Sequence, residues 1–441
     1  MFAVAMFSSL VLWPTRGPTG ITGWATTFLW SLPTLGMALG IFGALRTRLR
    51  LRRAPTGPVP PAPERLIVVI PTIGRIDTLP ALRRVVHSCA HLAPFFPDRS
   101  IEILIEEGCA GAAEIAGLAA LPATSVVTVP HDYTTPNGTQ FKARANQYAL
   151  TLRPADPDLW VLHLDDDTAI GPDTAQELAR FVHAQRDAGP AAKHLAQGVL
   201  TYPRELGASR LLWLADAIRP AGDVSTFAAT TGTGTPRAGL HGELLLVRAS
   251  VEAEIGWDFG PRTMVEDARF ALELVARHPG STDWFPGRCF GATPATVAAF
   301  VVQRERWAWG LMELAWSRAV PLRHRLLLLH NVTVWAFVPL QHVGVVLGIG
   351  WLIGDMNTLP AVAWLQPIWA ANLAYSVWCY RVGLTLNAKA SCEDKPRWWE
   401  HVAVVAGIPV FSILEAVGVA RGVVRFIRRD ASAFPVIAKP R

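Results

Sequence analysis

Trp160-Val161-Leu162-His163-Leu164-Asp165-Asp166-Asp167 sets an apolar run of strand length directly against three carboxylates. A short, nearly continuous apolar run that ends in a turn signal is the pattern of a strand buried on both faces. Upstream, Arg65-Leu66-Ile67-Val68-Val69-Ile70-Pro71 and Ile101-Glu102-Ile103-Leu104-Ile105 repeat the pattern. Residues 78–91 and 140–152 between them carry helical patterning. Strands alternating with helices predict an α/β domain of Rossmann-like type with a mainly parallel sheet. In such a sheet the functional residues gather at the carboxyl ends of the strands.

The rest of the chain is less like a soluble enzyme. Hydrophobic residues make up 51% of the 441, and charged residues only 17%, against roughly a quarter charged in an average soluble domain. Residues 2–13 are apolar but short, and are read as a membrane segment with a signal peptide as the alternative. Residues 21–45 are long enough to span a bilayer core of about 30 Å. Arg46, Arg48, Arg50, Arg52 and Arg53 follow at once, which places that end on the cytoplasmic side. Residues 54–64 are proline-rich and read as a stiff linker. Apolar stretches return at 326–353, 359–382 and 401–419, the last interrupted by Pro409 and open to a re-entrant or interfacial reading. The expected organisation is a membrane segment over 1–53, the linker over 54–64, a catalytic domain over 65–325 and membrane or interfacial helices over 326–441. A multi-pass membrane protein with a cytoplasmic catalytic domain follows. The net charge of +6 lies largely in two arginine-rich runs beside apolar segments, which suits anionic lipid rather than nucleic acid. Five scattered cysteines form no CxxC pair and support neither a zinc site nor a disulfide framework.

Three clusters carry chemistry. In an extended segment Asp165 and Asp167 would face the same way and offer hard oxygen ligands to Mg²⁺ or Mn²⁺ holding a diphosphate; an acidic turn or a calcium site is the alternative. Glu266-Asp267 opens an apolar-periodic helix. Acids there are stabilised by the helix dipole whatever their role, but one of them, Asp267, could act as a general base on an acceptor hydroxyl. Gln303-Arg304-Glu305-Arg306-Trp307 combines a phosphate-matching guanidinium, Arg306, with a flat ring for a sugar, Trp307. A basic interfacial belt, including Arg304 and Trp309, is the alternative. Glu106 could accept from the two adjacent N–H donors of guanine, or be a solvated loop charge.

Taken in order, Asp165-x-Asp167, Glu266-Asp267 and Gln303-x-x-Arg306-Trp307 resemble the D-x-D, E-D and Q-x-x-R-W set of family 2 inverting glycosyltransferases of GT-A fold. The likeness extends over residues 65–309. Pro71-Thr72 resembles the first-strand nucleotide turn, Lys142 the lysine opening the following helix, and Gly239-Leu240-His241-Gly242-Glu243 the acceptor-side glycine segment. Glu254-Ile255-Gly256-Trp257-Asp258-Phe259-Gly260, Glu266-Asp267-Ala268-x-Phe270 and Pro294-Ala295-Thr296 resemble egghead-type β-1,4-mannosyltransferases. The resemblance implies a donor site of Pro71, Thr72, Glu106, Lys142, Asp166 and Arg306, with the metal on Asp165 and Asp167. It implies an acceptor site of His241, Gly242, Glu266, Gln303 and Trp307, and Asp267 as catalytic base. GDP-mannose as donor and a lipid-linked or other glycan acceptor, such as a glycolipid, would follow. The alternatives are a processive polysaccharide synthase using a UDP-sugar, and a non-enzymatic membrane scaffold or transporter.

Overall fold

A computed structural model of the chain describes residues 15–16, 20–54, 57–236, 240–353, 359–360, 365–393 and 395–429. The apolar segment at 2–13 and Gly239 lie outside them.

The sheet has eight strands: β1 (Arg65–Pro71), β2 (Arg99–Glu106), β3 (Thr124–Val129), β4 (Leu159–His163), β5 (Ala169–Ile170), β6 (Leu195–Thr201), β7 (Leu245–Arg248) and β8 (Thr282–Phe290). Their order is β3-β2-β1-β4-β7-β6-β8-β5. The half β3-β2-β1-β4 is parallel throughout. Beyond β4 the sheet becomes mixed, because β7 runs antiparallel to both neighbours and β5 antiparallel to β8. Parallel-rich is therefore the accurate description, and the expectation of a mainly parallel sheet holds for its first half.

The apolar runs are continuous because both faces of the sheet are covered. Leu66, Val68, Ile70, Trp160 and Leu162 pack in one layer with α3 (Leu79–Ser88) and α5 (Pro172–Asp187). Ile67, Val69, Leu159 and Val161 pack in the other with α4 (Phe141–Thr151) and α7 (Glu266–Arg277). The chain leaves β1 in one direction for β2 and β3, then returns to place β4 on its other side. That reversal makes the carboxyl ends of β1 and β4 a topological switch point, where open α/β sheets bind ligands.

Further helices include α1 (Gly20–Ser31), α2 (Thr34–Arg53), α6 (Ala249–Ile255), α8 (Val297–Trp316), α9 (Leu322–Ile353), α10 (Gln366–Ala390) and α11 (Trp398–Arg428). Among the described residues, two helical stretches, Gly23–Arg53 and Trp398–Arg428, are long and apolar enough to cross a membrane. The expected multi-pass arrangement is not supported beyond these two. The stretch at 359–382 illustrates the difference: α10 runs on to Ala390, and buried Asn387 accepts from the backbone N–H of Tyr202 at 2.8 Å. The 401–419 stretch is not broken at Pro409 but belongs to one 31-residue helix.

Neither apolar helix stands apart from the sheet domain. A Cβ on Gly43 of α2 would lie 1.8 Å from the Ser225 carbonyl oxygen, so only glycine permits this approach. Thr47 Oγ1 donates to the Val224 carbonyl at 2.9 Å, and Arg50 pairs with Asp283 at 2.9 Å. On α11, Arg421 and Arg425 close on buried Glu305 of α8 at 2.7 and 2.6 Å.

Candidate active site

At the switch point, Thr72 follows β1 and its Oγ1 donates to Asp166 Oδ2 at 2.7 Å across the crevice. The acidic triplet itself is not strand. β4 ends at His163, Leu164 still donates to the Val69 carbonyl, and a turn then closes with Thr168 N–H on the Asp165 carbonyl at 3.0 Å. The alternation that would have aligned Asp165 with Asp167 stops before reaching them. Asp165 remains partly exposed, whereas Asp167 is buried within electrostatic reach of Arg84 on α3.

Lys142, in the first turn of α4, is the centre of the carboxylate cluster. Its Nζ lies 2.5 Å from Asp165 Oδ1 and 3.7 Å from Glu266 Oε1. Burial acts to lower its pKa, but Asp165, Glu266 and Asp267 outweigh that and hold the ammonium charged. A Cβ on Gly242 would meet Lys142 Nζ at 2.7 Å and Asp267 Oδ2 at 3.2 Å, so this glycine lets the backbone sit against both. Four segments distant in sequence thus converge: α4, the turn after β4, the segment before β7 and the start of α7.

Asp267 and Glu243 are driven in opposite directions. Burial, then the neighbouring Glu266 charge, pushes Asp267 up to about 7 against the pull of Lys142. Its Oδ1 accepts from the Ala268 N–H at 2.8 Å. Burial also works to raise Glu243, but His241 and Arg219 hold it well below the usual carboxylate range. His241 Nδ1 lies 3.1 Å from Glu243 Oε2, and Nε2 lies 3.1 Å from Asp223 Oδ1. Burial would lower the imidazole's pKa, yet Asp223 and then Glu243 raise it to about 10. Diverging carboxylates of this kind separate a proton acceptor near neutral pH from a fixed charge. Asp267 can take a proton; Glu243 is committed to His241 and Arg219.

The Gln303-to-Trp307 segment lies on α8, and the structure corrects part of its reading. Arg304 is 1% exposed, not interfacial: its Nε donates to Glu415 of α11 at 2.9 Å, and its other nitrogens bond to Asp216 and Gln303. Trp309 is buried as well. Trp307 is not an open platform, since the guanidiniums of Arg219 and Arg304 lie 4.5 and 4.6 Å from its ring centroid. Arg306 is half-buried on the same helix. His241, expected to face an acceptor, has both ring nitrogens at carboxylates. Glu106, expected to be available to a guanine edge, accepts from Arg144, whose guanidinium lies 5.7 Å from the Tyr133 ring centroid. Pro71 ends β1, two strands from β3.

Asp216, Arg219 and Asp223 were not legible as site residues. They fall between motifs, and only their long-range partners mark them.

Among the described residues no group of three or more His, Cys, Asp or Glu side chains could itself hold a metal ion. Mg²⁺ commonly takes one or two protein carboxylates and completes its shell with water and substrate phosphate. Asp165, partly exposed, offers such a carboxylate, on which a metal ion would compete with the Lys142 ammonium.

Residues 160–386 match the family model described as glycosyl transferase family group 2, and the chain belongs to this family. It is 26% identical over 305 residues to beta-1,4-mannosyltransferase egh of Drosophila melanogaster, covering 68% of this chain and 64% of that protein. It is 29% identical over 233 residues to beta-1,4-mannosyltransferase bre-3 of Caenorhabditis elegans, covering 51% of this chain and 49% of that protein. The chain thus spans less than two thirds of the length of either relative. Among solved structures it is similar to a mannosyltransferase from Pyrobaculum calidifontis in complex with GDP-Man and Mn²⁺, with a TM-score of 0.45 and 15% identity over 89% of this chain and 99% of that one.

Proposed function

We propose that the chain is a membrane-associated inverting mannosyltransferase. It moves mannose from GDP-mannose to a hydroxyl of a lipid-linked or other glycan acceptor and forms a β-glycosidic bond. The observation that carries this reading is Asp267: a carboxylate raised to about 7, beside the Lys142 ammonium and a glycine backbone, within a family of glycosyl transferases. The names of the egh and bre-3 relatives favour mannose and a β-1,4 linkage.

In the reaction Asp267 accepts the proton of the acceptor hydroxyl as its oxygen attacks the anomeric carbon. The bond from that carbon to the diphosphate breaks on the opposite side, so an α-linked donor gives a β-linked product. Lys142 and Arg306 offer cations to the departing diphosphate. A divalent ion held by Asp165, with water and the diphosphate completing its shell, would supply further neutralisation of that charge. Thr72 fixes Asp166 at the donor crevice. Residues 65–325 form the catalytic unit, with the flanking apolar helices anchoring it at the cytoplasmic face of a membrane.

A donor screen tests the reading. Purified protein is given GDP- and UDP-sugars with Mn²⁺ and a lipid-linked acceptor, and the product anomer is assigned by NMR. GDP-mannose should be used at least tenfold better than UDP-glucose, with β product. Transfer from no donor, or an α product, would overturn it.

A further inference from the structure

The arginine run on α2 divides into two faces. Arg46 donates to the Ala228 carbonyl at 3.2 Å, and Arg50, one turn later, pairs with Asp283 at 2.9 Å. These two seat α2 on the sheet domain. Arg48 and Arg52, also one turn apart, are exposed and form no ion pair among the described residues. They line a cavity of ≈ 320 Å³ together with Ala44, Thr47, Leu51, Val224 and Trp378. Most of the lining is apolar or aromatic, with Arg48, Arg52 and Thr47 supplying its polar groups. Trp378 stacks on Tyr375 at 5.7 Å, and Tyr375 Oη reaches Ser225 Oγ at 3.2 Å, which fixes the aromatic wall. Beside the cavity, Phe42, Leu45 and Leu49 form an exposed apolar stripe along α2.

We propose that this cavity is a binding site for one anionic phospholipid. Arg48 and Arg52 would hold the headgroup phosphate, and the acyl chains would follow the stripe of Phe42, Leu45 and Leu49. The two-faced chemistry argues for a lipid: a soluble anion has no use for the apolar stripe, and a zwitterionic lipid brings its own cation up against the two arginines. Arginine matches phosphate oxygens with its planar fork. The position at the end of an apolar helix is the depth of the headgroups. This site rests on the membrane association proposed above.

The test is native mass spectrometry of the full chain, purified in detergent and stripped of lipid, then given phosphatidylglycerol or phosphatidylcholine. The wild type should retain one phosphatidylglycerol in preference to phosphatidylcholine. A basic side chain at an anionic surface is worth roughly fivefold in binding, so Arg48→Ala/Arg52→Ala should lose about 25-fold. Arg48→Lys/Arg52→Lys should recover much of it. Arg428→Ala/Arg429→Ala, at the other basic run, should bind as wild type. Equal retention of the two lipids by the wild type, or undiminished retention by the double alanine variant, would overturn the site. Displacement of the lipid by millimolar inorganic phosphate would reassign it to a free anion and overturn it equally. Alkaline extraction of native membranes reports separately on anchoring. Release of the chain there would end the membrane reading without deciding the lipid preference.

Discussion

His241 Nε2 lies 3.1 Å from Asp223 Oδ1, and this contact joins the apolar helix α2 to the carboxylate cluster. Asp223 opens a π-helical turn, Asp223–Phe227, whose carbonyls at Val224 and Ser225 receive α2 through Thr47 and Gly43. Asp223 Oδ2 also accepts from the Leu200 N–H of β6 at 2.8 Å. From His241 the path continues to Glu243 and to Gly242, which touches Lys142 and Asp267. Single π turns recur at functional sites.

Removing the Asp223 charge should lower the His241 pKa. Asp223 is the largest of the effects that raise it, Glu243 the next, and burial opposes both. In Asp223→Asn the imidazole should titrate at least one unit below its value of about 10. NMR titration of the histidine ring reports this directly; an unchanged value would show that Glu243 alone holds the proton.

Much of this architecture could be read from residue order, and the unread part has a common cause. β1 has the bounds its apolar run implies, because burial on both faces leaves no other use for the six residues Leu66–Pro71. Asp165, Lys142, Glu266, Asp267 and Gly242, drawn from distant motifs, do meet. The other strands, β3, β5, β6, β7 and β8, were not read; β6 is interrupted by Gln197 and Gly198 and β8 by Pro286 and Gly287, while β5 and β7 are only two and four residues long. Partners were equally hidden: Arg304 with Glu415 spans 111 residues, and nothing local distinguishes a buried arginine from a surface one.

Stability should fall as pH rises through the His241 titration. A histidine whose folded pKa is raised contributes stability that is complete below its unfolded value of about 6.5 and lost as pH passes the folded value. The window is therefore pH 6.5 to about 10. Asp267, with its raised pKa of about 7, acts between about 3.8 and 7 and does not overlap much. Denaturant midpoints measured across pH 6.5–10 should decline in the wild type and flatten in His241→Gln.

Lys142→Met should displace the acid limb of the pH–rate profile upward. The ammonium favours the ionised form of Asp267, so its loss raises the pKa of the base. Turnover should also fall, because the leaving diphosphate loses a cation. A limb that stayed in place, or moved to lower pH, would separate Lys142 from the base.

Transfer should require Mg²⁺ or Mn²⁺. Asp165→Ala should abolish it, and Asp165→Asn should raise the metal concentration needed for half-maximal turnover, since Asp165 is the accessible carboxylate. Turnover that persists in excess chelator would remove the metal from the reaction.

Asp267→Asn separates base chemistry from donor binding. Asparagine keeps the shape and can still accept the Ala268 N–H that holds the carboxylate at 2.8 Å. It cannot accept a proton in the working range. General base catalysis typically contributes about 10²- to 10⁴-fold, so turnover should drop by at least that order. Donor affinity, measured by calorimetry with Mn²⁺, should change little, because the partner of Asp267 is the acceptor hydroxyl. Residual activity should lose the wild-type rise through pH 7, which reports ionisation of this group. Glu243 cannot substitute: its carboxylate is held ionised by His241 and Arg219 and is a far weaker base. Turnover near the wild-type level would place the base elsewhere, with Glu266, 3.7 Å from Lys142, the next candidate. Loss of donor binding in Asp267→Asn, with donor binding intact in Asp165→Asn, would instead exchange the roles of base and metal ligand.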